Sequence, residues 1–189
     1  MAPKKGMILK VTAVALCIAI PSALTRLGFY EKCLAYFKDS EINYSNAEFG
    51  FSITLPNAPE VKESKRLDER SNLTFGKTTV KSVGADNSEF NIGCTNYPPG
   101  LLDTSKVYEQ LHNGRDGVIE NSSFELIKSV DTLINNYPAV YLLTKKGEQL
   151  RYVLIVIRNN QSITLLGDLK CNPLQKDHFE HYFNSLKVN

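Results

Sequence analysis

The chain has 189 residues, 42% hydrophobic and 22% charged, enough for one domain with its own core and too few for two of ordinary size. Lys and Arg total 22 against 20 for Asp and Glu, a formal net charge of +2. Four of those bases, Lys4, Lys5, Lys10 and Arg26, lie in the first 26 residues, which hold no acid, leaving 18 bases against 20 acids, net −2, for the rest. A nucleic-acid binder needs a concentrated basic face to displace counterions from phosphate, and no run after residue 26 supplies one, so that class is excluded.

Lys4, Lys5 and Lys10 precede an apolar run at 11–25, the order of an export signal with its charged end held in the cytoplasm. Between Lys10 and Arg26 lie 15 uncharged residues, about 22 Å of helix at ~1.5 Å each, whereas a bilayer core needs about 30 Å. That shortness favours a signal peptide over a settled transmembrane helix. A cut after Ala23 would place Pro21 at −3, where a small residue is wanted, so cleavage and retention as a membrane anchor both stay open. Cys17 follows the bulky Leu16, which argues against a lipoprotein.

Residues 27–47 read as a linker, in which Tyr30, Cys33, Leu34, Tyr36 and Phe37 suit a short amphipathic helix, and the globular domain is expected over 48–189. Phe49, Phe51, Ile53 and Leu55 alternate with small residues and predict a strand, stopped by Pro56 and Pro59. The charged run 62–70 alternates acids with bases and reads as a solvated loop. Strands are expected at 72–83 and 88–96, joined as a hairpin by the turn-rich 84–88. Asp103 or Thr104 can cap a helix to about Glu120, with Val107, Leu111 and Val118 on one face; Gly114-Arg115-Asp116-Gly117 predicts a weak or broken second half, lacking the spacing of a phosphate-binding loop. Four more strands follow at 124–132, 139–145, 149–158 and 162–169, separated by tight polar turns. The stretch 152–157 is apolar on both faces and predicts a central strand covered on both sides. A helix at about 173–186 carries Phe179, Tyr182, Phe183 and Leu186 on one stripe. Strands joined by short turns cannot be parallel neighbours, so the domain is α+β, an antiparallel sheet flanked by helices, behind the hydrophobic signal or anchor helix.

Candidate chemistry is sparse. His178 and His181 are three apart on the last helix beside Asp177 and Glu180, a spacing that turns two imidazoles towards one ion. They lack a zincin's third ligand and general base, and lie on the polar side of the stripe, so surface histidines are the better reading. His112, next to Leu111 on the expected helix, reads as a surface or boundary side chain. No Gly-x-Ser-x-Gly or Ser-x-x-Lys arrangement is present, so the sequence nominates no catalytic residue and no cofactor. Cys33, Cys94 and Cys171 are far apart; buried free thiols are favoured over a bridge between Cys94 and Cys171.

Three places carry a family resemblance: Phe49-Gly-Phe-Ser-Ile-Thr-Leu-Pro56, the stretch from Tyr137-Pro-Ala-Val-Tyr-Leu-Leu143 through Gln149-Leu-Arg-Tyr-Val-Leu-Ile-Val-Ile157, and the closing Phe179, Tyr182, Phe183, Leu186. In these the chain resembles PsbP/Mog1-like domains, especially small exported bacterial ones. The resemblance implies an α/β/α sandwich and a non-catalytic binding or assembly role, since members attach to photosystem II in the lumen or to the GTPase Ran in the nucleus. No partner-contact or metal motif of either branch matches here. The expectation is an exported, non-catalytic domain on the outer side of the cytoplasmic membrane, binding an unidentified protein or envelope component. The alternative is a small metal-dependent hydrolase using His178 and His181.

Overall fold

Alternation decides the first elements. In the computed structural model, β2 (Phe51–Leu55) buries Phe51, Ile53 and Leu55 and leaves Ser52 and Thr54 partly open, as a strand with one face on a core requires. The structure describes residues 39–68, 73–85, 87–170 and 173–189. The segment 1–26 and the helix expected at 30–37 lie outside them. No helix among the described residues is long and apolar enough to cross a membrane.

The end of the stretch read as linker is a strand. β1 (Ile42–Asn46) runs antiparallel to β2 with Tyr44 opposite Ile53, and the compact unit begins at Asp39 rather than Glu48. Ile42 and Tyr44 alternate with polar residues, but Asn and Ser in the same stretch disguise the strand as loop. With β10 (Lys187–Val188) these make a three-stranded sheet in the order β1-β2-β10.

The larger sheet has seven strands, all antiparallel: β3 (Glu60–Asp68), β4 (Leu73–Val83), β5 (Glu89–Asn96), β6 (Glu125–Ile134), β7 (Tyr137–Lys146), β8 (Gln149–Arg158) and β9 (Gln161–Lys170), in the order β3-β4-β5-β9-β8-β7-β6. The expected hairpin is β4 with β5. The charged run read as loop is mostly β3, paired along its length with β4 from Glu60 opposite Lys81 to Asp68 opposite Leu73. It is solvated, as expected, but an outermost strand tolerates charge on both faces and is protected by it. Between β6 and β7, Asn135 (φ 49°) and Asn136 (φ 71°) both take left-handed backbone, the conformation a two-residue hairpin turn demands and Asn accommodates.

The face-alternation of β8 divides two cores. Tyr152, Leu154 and Val156 join a cluster with Phe90, Ile92, Cys94, the β2 apolar set and Phe179, Tyr182 and Phe183 of α2 (Pro173–Phe183). Val153, Ile155 and Ile157 meet Val140, Leu142 and Leu111 of α1 (Val107–Glu120). The predicted covering of β8 on both sides is thus realised, with one helix on each face. Burying a large aliphatic or aromatic side chain contributes about 1.5–3 kcal/mol, so these clusters dominate local preference.

That dominance explains α1. Asp103 begins a 3-10 turn (Thr104–Lys106), its carboxylate accepting from the Ser105 N–H at 2.9 Å and its carbonyl from the Lys106 N–H at 3.0 Å. The helix then continues unbroken through Gly114 and Gly117, against the expectation of a break. Each glycine costs about 1 kcal/mol relative to Ala; fully buried Leu111, with Val107 and Val118 packed beside it, outweighs them.

Candidate functional site

Two surfaces and one buried thiol hold the chemistry that the sequence singles out. The first is the last helix, where Asp177, Glu180, His181, Asn184 and Ser185 border an open surface hollow. The Nε2 of His181 lies 3.7 Å from Glu41 Oε1, and its ring stands edge-on to Tyr182. Glu180 is engaged elsewhere, with Lys176 at 3.6 Å and accepting from the Tyr152 hydroxyl at 3.4 Å. The side chain of His178 lies outside the described residues. Among the described residues no group of three His, Cys, Asp or Glu side chains is placed to hold a metal ion.

The second is the α1 surface. His112 Nε2 sits 2.9 Å from Asp131 Oδ1 and 3.1 Å from Oδ2, tying α1 to the outer strand β6. Arg115 donates to Asp116 at 2.7 Å, which holds the Asp116 carboxyl below its usual range, chiefly through that hydrogen bond. Gly114 and Gly117 are ordinary helix positions here, not a phosphate cradle.

Cys94 is a free thiol with no exposed surface. Burial first, and the Glu48 charge second, push it up to about 12, so it offers no thiolate at neutral pH. The thiol is free, so the bridge weighed between it and Cys171 is not formed at Cys94; Cys171 itself lies outside the described residues.

Two features escape a residue-by-residue reading. Arg151 on β8 donates from Nε to Asp168 Oδ1 at 2.7 Å and from Nη2 to Oδ2 at 2.8 Å, with its guanidinium 4.1 Å over the Phe124 ring. The fork raises the Arg151 pKa, the Asp168 hydrogen bond being the main cause. Its signal in the sequence was the Asn159-Asn160 turn: pairing Arg158 with Gln161 fixes Arg151 opposite Asp168 seven places back.

The other is β6. It is the outermost strand at its side of the sheet, and Leu126, Ile127, Val130 and Leu133 are 44, 53, 40 and 57% exposed. At the opposite side, β3 exposes Lys62 paired with Glu60 at 2.8 Å. Edge strands are ordinarily blunted by charge; β3 carries six charged residues in nine and exposes Val61, whereas β6 carries three in ten beside four exposed apolar side chains. The sequence signal was the run of apolar residues in 126–134 that follows no clean period of two.

No protein-family model matches the chain, and no curated protein matches it in sequence. Among solved structures it is similar to the solution structure of cyanobacterial PsbP (CyanoP) from Synechocystis sp. PCC 6803, with 14% identity and a TM-score of 0.50 over 80% of this chain and 94% of that one. It is also similar to the crystal structure of PA94 from Pseudomonas aeruginosa, with 16% identity and a TM-score of 0.37 over 76% of this chain and 91% of that one. The antiparallel sheet with its two helices, matched across nearly the whole CyanoP chain, is a PsbP-like fold.

Proposed function

We propose that this protein is an exported, non-catalytic binding or assembly domain acting on the outer side of the cytoplasmic membrane. The observation that carries the reading is the contrast between the two edges of the large sheet. Apolar side chains cost free energy when left in water, and a folded domain that keeps four large ones together on one outer strand has a surface suited to a macromolecule. The PsbP-like fold supports the same reading by analogy only. The bases at Lys4, Lys5 and Lys10 ahead of the apolar run 11–25 support export.

Two measurements test the halves separately. Alkaline phosphatase fused after Asn189 gains activity only where its disulfides form, so activity in living cells is expected, and an inactive fusion would overturn export. A photocrosslinking residue at Ile127 should yield discrete covalent adducts in the native host, while the same residue at Lys62 on β3 should not. Equal or absent labelling at the two positions would overturn the binding surface.

A further inference from the structure

An edge strand presents a row of backbone N–H and C=O groups ready to pair with another strand. β6 is ten residues long, and among the described residues it pairs only with β7. The identity of its occupant follows from register.

Pairing with β7 fixes which face each β6 residue takes. Leu126, Ser129, Asp131 and Leu133 lie opposite Thr144, Leu142, Val140 and Pro138, on the face that α1 covers. Glu125, Lys128, Val130, Thr132 and Ile134 lie opposite Lys145, Leu143, Tyr141, Ala139 and Tyr137, on the other face. The register shifts between Leu126 and Lys128, so Ile127 is the extra residue of a bulge. Without it the strand has nine places, and Val130 is the middle one.

Two copies of one strand that pair antiparallel about a two-fold axis must set each residue opposite one on the same face. Centring the axis on Val130 does so along the whole strand. Val130 meets Val130, Leu126 meets Leu133, Lys128 meets Thr132, Ser129 meets Asp131 and Glu125 meets Ile134. No like charges stand opposite each other. Moving the axis to Asp131 would set two carboxylates face to face, and moving it to Ser129 would set Leu126 against Asp131; both are disfavoured cross-strand pairs.

We propose that β6 pairs antiparallel with β6 of a second copy of this chain, centred on Val130, so that the two large sheets become one continuous sheet. This rests on the binding role of the β6 edge and names its partner. The shared sheet covers the apolar side chains that a single chain leaves in water, and satisfies the outer backbone groups of both strands.

The test uses the full chain. Sedimentation at rising concentration should show twice the 21.2 kDa chain mass, and Val130→Lys should return it to a single chain that melts where the unsubstituted chain does at concentrations too low for pairing. Under mild oxidation Val130→Cys should form a disulfide-linked dimer, and Thr132→Cys, which faces Lys128 rather than itself, should not exceed the unsubstituted chain. A single-chain mass at every concentration, a dimer that survives Val130→Lys, or equal crosslinking by the two cysteines would each overturn the proposal. If the chain is monomeric yet the Ile127 crosslinker still captures another protein, self-pairing fails and the binding role stands. If it is monomeric and captures nothing, both fail.

Discussion

The tip of the Phe179 ring occupies the space where residue 167 would carry a Cβ. Gly167 of β9 lies between Phe90 of β5 and Tyr152 of β8, its partners on either side. The missing side chain makes a notch. Phe179 seats in it, stacked on Phe90 with ring centroids 4.7 Å apart and tilted against Tyr152 at 5.0 Å. Gly167→Ala is expected to push Phe179 out of this seat and lower stability by about 1–3 kcal/mol, read as a melting temperature reduced by about 2–4 °C per kcal/mol. Adding Phe179→Leu should recover part of the loss, because the two positions share one space. A Gly167→Ala protein as stable as the parent would show that the contact carries no such constraint.

Leu111 tests the second core. It is the one fully buried side chain of α1, packed on Val140, Leu142, Val153, Ile155 and Ile157. Leu111→Ala should cost about 2–5 kcal/mol, measured by urea unfolding. Gly114→Ala should act the other way. A Cβ there would stand 3.5 Å from Ile155 Cδ1, an ordinary contact, and Ala favours helix over Gly by about 1 kcal/mol.

Cys94 links packing to pH. Its thiol is held near 12 in the folded chain against an ordinary value of 9.0, so the folded state binds the proton more tightly. The stabilisation is whole below about pH 9 and is lost as pH rises from there towards 12. Unfolding free energies of the parent and Cys94→Ala should therefore differ by a constant amount below pH 9 and converge above it. Mapping of thiol alkylation at pH 8 should find the Cys94 peptide unlabelled in the native protein and labelled in denaturant. Native labelling would mean that the interior opens readily at β5.

The legible parts of the fold were those where burial writes itself into spacing. β2 showed one apolar face, β8 two, and the closing stretch a stripe at 179, 182, 183 and 186; each reaches the core, although the helix expected to about 186 ends at Phe183 and Leu186 packs from beyond it. The edge strands were harder. β3 has solvent on its outer side and carries charges on both faces, so it lacks the alternation that marks a half-buried strand. β1 hides behind Asn and Ser. α1 was underrated because local propensity counts Gly114 and Gly117 but not what Leu111 buries against. Candidate chemistry was least legible because it depends on register. Arg151 meets Asp168 only through the register that the Asn159-Asn160 turn sets, and the apolar run in 126–134 marks an outer strand only once the sheet order is known.

The Arg151 fork sits beside the open hollow bordered by Glu89, Lys146 and Glu148, yet its own side chains are only 22 and 15% exposed. Two parallel hydrogen bonds and a ring beneath the guanidinium fix its geometry, and partial burial limits screening by salt. Hydrogen bonds to charged groups contribute about 1.5–3 kcal/mol, so Asp168→Asn is expected to lose about that much at neutral pH, with little change between low and high salt. Arg151→Lys keeps the charge but loses the fork and the stacking on Phe124, and should be as damaging. The double variant Arg151→Met with Asp168→Leu should be less destabilised than the sum of Arg151→Met and Asp168→Leu alone, since neither charge is left unpaired. Strict additivity in that cycle would show that the two groups are neighbours without being coupled.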